Sequence, residues 1–337
     1  MADNKKIFLI FMISLVLFFC GCVSQENNTR GNGVIIEKFK VDFEKIYAGE
    51  SFKIWLSLRN IGSSNAYNVY PKLYNVQTSS EGGVFEISCK ESCTTGVKLL
   101  PPDREAGTEG ESLTCIWDCI TPKNISKGLS IKFNPSVRVY YWYTSDVIKG
   151  VNIVSKDELR NIKNKDVSLP SETLLSTSGP IVLEVIINGP IRFFENENKV
   201  SFPINVKIKN IGDGVACSLK EVTIPLPFGT PYNPSFTFAN LISGCEVNKN
   251  WNKITVFFDK GDDPSINLIE CEISEEGSTI ELWQGKERTI TCEVEFDISK
   301  ILDEERPNIP RIQKNLRFYA EYAYFIDAST SIEVIGR

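Results

Sequence analysis

Residues 52–62 read FKIWLSLRNIG and residues 202–212 read FPINVKIKNIG. Phe52, Ile54, Leu56 and Leu58 alternate with Lys53, Trp55, Ser57 and Arg59. Phe202, Ile204, Val206 and Ile208 alternate in the same way with Pro203, Asn205, Lys207 and Lys209. A period of two puts each apolar set on one face of a strand. Both runs end in Asn-Ile-Gly, at Asn60–Gly62 and Asn210–Gly212, and Asn and Gly accept turn conformations that other residues resist. Further short alternating runs, separated by Gly, Pro, Asn and Ser, fill the chain beyond residue 33. This pattern predicts an all-β protein of antiparallel β-sandwiches.

Two more correspondences follow in the same order. GESLTC (110–115) answers GKERTITC (285–292), and VRVYYWY (137–143) answers LRFYAEYAY (316–324). The offset grows from 150 to 177 to 179 residues, which predicts one duplicated unit with an insertion in the second copy. TIPLPFGTPYNPSF (223–236) and the loop Gly261–Pro264 are the candidates for that insertion. The predicted layout is a first sandwich at 33–154, a linker at 155–179 and a second sandwich at 180–337. In the linker, Ser155 and Glu158 are spaced as a capping box for a short helix, and the Ser, Thr and Pro content after them suits a connector.

An apolar strand ending in N-x-G, followed by a turn and a strand resuming with Ala, resembles the CARDB-type immunoglobulin-like modules of prokaryotic surface proteins. The resemblance covers residues 34–70 and 181–220. It implies two tandem immunoglobulin-like sandwiches outside the cell, and a role in adhesion, assembly or carbohydrate association. It brings no catalytic residues with it.

The N-terminus carries a different pattern. Lys5 and Lys6 precede an apolar run from Ile7 to Phe19, broken at Ser14, and then Cys20, Gly21 and Cys22. A transmembrane helix needs about 20 apolar residues, whereas the core of a secretory signal has about 7–15. The segment resembles a lipoprotein signal, with Gly21 as the small residue before a lipidated Cys22; Phe19 stands where that family usually has leucine. An ordinary cleaved signal and an uncleaved short anchor are the alternatives. The expected division is a signal at 1–21 and a polar tether at 22–32, SQENNTRGNG being its polar part.

Composition narrows the function classes. The net charge of −6, or −7 without residues 1–21, argues against a nucleic-acid partner. The chain has no histidine, which removes Ser-His and Cys-His nucleophile pairs and His-ligated metal sites. No phosphate-cradling or nucleophile-elbow motif is present in the sequence. No cofactor is expected. The surviving enzymatic reading is carboxylate-only hydrolysis of glycans, for which the sequence offers no particular pair.

Four cysteines fall in each predicted copy: Cys89, Cys93, Cys115 and Cys119, then Cys217, Cys245, Cys271 and Cys292. An even number per domain in an exported chain predicts two disulfides each. One pairing is Cys89–Cys115 and Cys271–Cys292, leaving Cys93–Cys119 and Cys217–Cys245. The rival in the first copy is the nested pair Cys89–Cys119 and Cys93–Cys115, favoured because cysteines four apart share a strand face. A zinc knuckle from CKESC and CIWDC is the alternative chemistry, and the scattered cysteines of the second copy speak against it.

The run YYWY (140–143) places Tyr140 and Trp142 on one strand face and Tyr141 and Tyr143 on the other. Trp142, Tyr143 and Trp55 are the candidate binding aromatics, with cross-strand packing as the competing role. Asn27-Asn28-Thr29 and Asn124-Ile125-Ser126 are N-glycosylation sequons. Together these features predict a lipid-anchored protein on the extracellular face of the cell membrane. It would be a binding or assembly module that is not an enzyme. Its expected partners are the membrane and envelope proteins or a surface polysaccharide, with a receptor for a polysaccharide or solute as the alternative.

Overall fold

The computed structural model describes residues 33–80, 83–164, 172–194, 197–218, 245–300 and 311–337. The signal and tether (1–32, with Cys22 and the Asn27 sequon) and the candidate insertion at 223–236 lie outside the described residues.

The chain is all-β, and its strands follow the alternation. β1 (Val34–Val41), β3 (Ser51–Asn60), β9 (Ser112–Ile120) and β7 (Ser88–Ser92) form an antiparallel sheet in that order. β13 (Ile181–Ile187), β15 (Lys199–Asn210), β20 (Glu287–Asp297) and β18 (Ile266–Leu268) form another. In β3 every second residue from Phe52 is buried, and in β15 the same holds from Val200 to Ile208.

A nine-stranded sheet serves both. Its main path is β19 (Ser278–Glu281), β17 (Lys253–Asp259), β21 (Arg311–Ser329), β11 (Ser136–Ser155), β4 (Ala66–Tyr74) and β8 (Val97–Leu99). β12 (Thr173–Ser176) and β14 (Ile191–Phe193) add to β11, and β16 (Val215–Cys217) adds to β21. The 20-residue β11 and the 19-residue β21 pair antiparallel from Ser136↔Ser329 to Val154↔Arg311. The two predicted sandwiches therefore share a sheet instead of meeting through a flexible connector. Their apolar faces merge into one core running through Leu56, Leu58, Val139, Tyr141, Val206, Ile208, Phe318 and Tyr322.

The segment expected as linker is partly structured. α1 (Lys156–Asn164) starts as its capping box predicts, with the Glu158 amide donating to Ser155 Oγ at 3.2 Å. β12 then pairs with β11. The chain's last strand, β22 (Ile332–Ile335), crosses to the first half. It lies between β10 (Ser130–Phe133) and β2 (Lys45–Tyr47), antiparallel to the former and parallel to the latter. A hairpin of β5 (Gln77–Ser80) and β6 (Gly83–Glu86) completes the description. Among the described residues, no helix is long and apolar enough to cross a membrane.

Candidate functional site

The two Asn-Ile-Gly turns meet a square of tyrosines where β11 and β21 cross the middle of the shared sheet. Tyr141, Tyr143, Tyr322 and Tyr324 are buried, and neighbouring ring centroids are 5.6–6.3 Å apart. Tyr143 Oη accepts a hydrogen bond from the Ser64 amide at 3.1 Å. Tyr324 Oη accepts from the Gly214 amide at 3.0 Å and donates to Asn210 Oδ1 at 2.8 Å. Asn60 Nδ2 donates to the carbonyls of Ser64 and Leu99, and Asn210 Nδ2 to those of Gly214 and Gly285. Each Asn side chain also accepts from the glycine amide two residues on, at 3.2 Å in both turns.

The glycine is needed because the tyrosine approaches so closely. A Cβ on Gly62 would overlap the Tyr143 hydroxyl, and one on Gly212 would lie 2.5 Å from that of Tyr324. Tyr322 shares a hydrogen bond with Ser145 Oγ at 2.8 Å, and Ser145 donates to the Ile181 carbonyl at 2.5 Å, so the square also anchors the start of β13. Burial pushes the phenols of Tyr143, Tyr322 and Tyr324 well above their ordinary range, so all three stay neutral.

Tyr143 is therefore a core residue, out of reach of any ligand at the surface: its strand face turns towards the sandwich sheets. Trp142 points the other way. It is half-buried, packed beside Tyr140, Phe325 and the Cys217–Cys245 disulfide. Trp55 is half-exposed on the outward face of β3, between Lys40 of β1 and Ile116 of β9. The three candidate aromatics thus occupy three different surroundings, and the structure does not bring them together.

The outward face of the shared sheet is fixed by charge. Arg138 holds Asp327 through two bonds of 2.7 Å, and Arg317 holds Asp146 through bonds of 3.0 and 2.6 Å. Both forks bridge β11 and β21, one near the Ser136↔Ser329 end of the shared ladder and one at its middle. The Arg138 guanidinium also lies 4.0 Å from the Phe325 ring centroid.

Between these forks stands Glu321, on the same strand face as Tyr319 and Ala323 and directly across from Thr144 and Thr255. Burial raises its carboxyl to about pH 7. The sequence carries a sign of it, a lone acid within the otherwise uncharged FYAEYAYF (318–325), which no second carboxylate in that run makes conspicuous.

A consequence follows for pH dependence. The unfolded carboxyl releases its proton near 4.5 and the folded one near 7, so the folded state binds more protons between these values. Stability falls as pH rises through that window and is level above it. Glu321→Gln is expected to leave stability unchanged at pH 4. At pH 8 it should raise it by about 2–3 kcal/mol, read from urea unfolding at the two pH values.

All eight cysteines of the folded unit are paired: Cys89–Cys119, Cys93–Cys115, Cys217–Cys245 and Cys271–Cys292. The first copy adopts the nested pairing, because β7 and β9 run antiparallel with Cys89 directly opposite Cys119. The second copy uses Cys271–Cys292 with Cys217–Cys245. No thiolate of CKESC or CIWDC is left for zinc. The nested pair ties β7, an edge strand, and the residue that follows it to the sheet, and each closed loop stabilises by about 2–4 kcal/mol.

A cleft of about 480 Å³ opens between β1 and the end of β21, lined by Val34–Phe39, Asp213 and Ile326–Ser329. Two of its acids are engaged: Glu37 with Arg59 and Ser57, Asp327 with Arg138. The arrangement is that of a disulfide-stapled, all-β sandwich protein. The chain matches no known family profile and no curated protein.

Proposed function

We propose that the protein is a lipid-anchored module on the extracellular face of the cell membrane, held through Cys22, that binds or assembles other envelope components and catalyses no reaction. The observation that carries this reading is the cysteine distribution. Every cysteine of the folded unit is in a disulfide, which fits an oxidising compartment, and the remaining two lie in a segment with the length and residue order of a lipoprotein signal. The absence of histidine from the whole sequence supports a binding role over a catalytic one. The internal sequence repeat and the matching Asn60 and Asn210 bonding support a duplicated immunoglobulin-like module. Envelope proteins and surface polysaccharide are the partners whose chemistry suits an acidic, extended β surface.

A second reading, a receptor for polysaccharide, draws on Trp55. A half-exposed indole in the middle of an outward sheet face, flanked by Lys53, Lys40 and Ile116, offers a stacking surface for a sugar ring.

The test is cell fractionation with surface proteolysis of wild type and Cys22→Ser. Wild type is expected in the membrane fraction, cut by external protease, with an intact mass beginning at Cys22 plus lipid. Cys22→Ser is expected to lose the lipid mass and leave the membrane. Wild-type protein in the cytosolic fraction with free thiols would overturn the reading.

A further inference from the structure

We infer that Asn124 is a site of N-linked glycosylation, an assignment that rests on the export reading above. Asn124-Ile125-Ser126 is the sequon within the described residues. It lies in the loop between β9 and β10, which has no regular structure from Thr121 to Ser126. Asn124 and Ser126 are both exposed, while Ile125 between them is 4% exposed and plugs the loop to the body. The side chains that an N-glycosylating enzyme must engage, the carboxamide and the hydroxyl two residues on, therefore both face solvent.

The surroundings favour a sugar at this point. Thr121, at the base of the loop, donates its hydroxyl to the Tyr47 carbonyl at 3.0 Å, and the Thr121 amide donates to Glu50 at 3.0 Å. Tyr47, Ile120 and Leu129 around the loop are exposed large apolar residues at 49%, 46% and 39%. Tyr47 ends β2, an outer strand of the three-stranded sheet, and outer strands of that kind invite pairing with other chains. A hydrated glycan on Asn124 would cover this rim without entering the core.

The geometry also sets when the sugar is added. The Gly336 amide donates to the Leu129 carbonyl at 2.8 Å, and a Cβ on Gly336 would collide with the carbonyl oxygens of Ile125 and Ser126. Once β22 is docked, the backbone of the sequon is clamped beneath the chain's last residues. Transfer belongs to the interval after residue 126 has been exported and before residue 336 closes over it.

In the step itself, the Asn124 amide nitrogen attacks C1 of the first sugar of a polyprenyl-(pyro)phosphate-linked oligosaccharide. The N–C1 bond forms, the C1–O bond to phosphate breaks, the nitrogen loses one proton and the polyprenyl (pyro)phosphate departs.

The experiment is mass analysis of the peptide 118–145, released by cleavage before aspartate from the native, membrane-extracted protein. Wild type is expected to carry a hexose-containing mass increment on Asn124. Asn124→Gln and Ser126→Ala should abolish it, and Ser126→Thr should keep it. An unmodified peptide from protein whose Cys119 resists alkylation until reduction would overturn the glycan assignment while leaving export intact. An unmodified peptide with Cys119 freely alkylated would overturn both. An increment that survives Asn124→Gln would place the modification elsewhere and sink the assignment.

Discussion

Deleting residues 330–337 is expected to destabilise the first half of the protein, although the deleted residues are the last of the second. β22 is the central strand of its sheet, with Ile332 and Val334 at 1% and 0% exposure. Burying two such side chains stabilises by about 1.5–3 kcal/mol each, and the strand also supplies the ladder bonds of both neighbours. The expected loss is about 4 kcal/mol or more, a large share of the 5–15 kcal/mol that holds a typical domain together. Urea unfolding reads the loss. Amide exchange locates it: the amides of β10 and β2 should lose protection first, although they precede the deletion by about 190 residues or more. Val334→Ala is the milder variant, with an expected cost of about 2 kcal/mol. Unchanged protection of β10 and β2 in the truncated protein would show that the first half is complete without β22. Complementation of this kind also means that the first half reaches its final packing only after residues 332–335 have been made.

Gly62→Ala is the second change with a large expected effect, about 3–5 kcal/mol. The new methyl would meet the Tyr143 hydroxyl and then the Ser178 carbonyl at 2.9 Å and the Gly33 Cα at 3.0 Å. Tyr143 cannot swing aside, because its ring is walled by Tyr141 and Tyr322. Tyr143→Phe alone removes the bond to the Ser64 amide and is expected to cost about 1 kcal/mol. In the double variant the hydroxyl is gone when the methyl arrives. The combined loss should therefore fall short of the sum by more than 1 kcal/mol, a coupling that a double-mutant cycle measures directly. Simple additivity would mean that the backbone contacts alone demand glycine. Gly212→Ala with Tyr324→Phe repeats the test in the second half, where Pro180 Cβ is the next obstacle at 2.9 Å.

Much of this arrangement is written locally in the chain. The alternation in 52–59 and 202–209 sets which residues of β3 and β15 face the core. The Asn-Ile-Gly endings mark the turns, and the spacing of Cys89, Cys93, Cys115 and Cys119 encodes an antiparallel pair of strands. What alternation cannot encode is the partner across the ladder, since a period of two specifies faces and leaves the neighbouring strand open. YYWY thus presents two faces in sequence. Only the pairing of Tyr143 with Tyr322 decides that the Tyr143 face is sealed from both sides. The fusion of the halves left one local clue, an unbroken strand pattern from 136 to 155 longer than one sandwich requires. Glu321 was hidden for the same reason: its desolvation comes from β11 and β17, far away in sequence.

A strand of 20 residues spans about 65 Å, and β11 has that length. Because it runs through both sandwiches, neither can swing against the other without breaking a ladder braced by two arginine forks. Two modules on a flexible string would sample many separations and lose entropy when both engaged a target. Here any two contact surfaces, one per half, stand at a set spacing and angle.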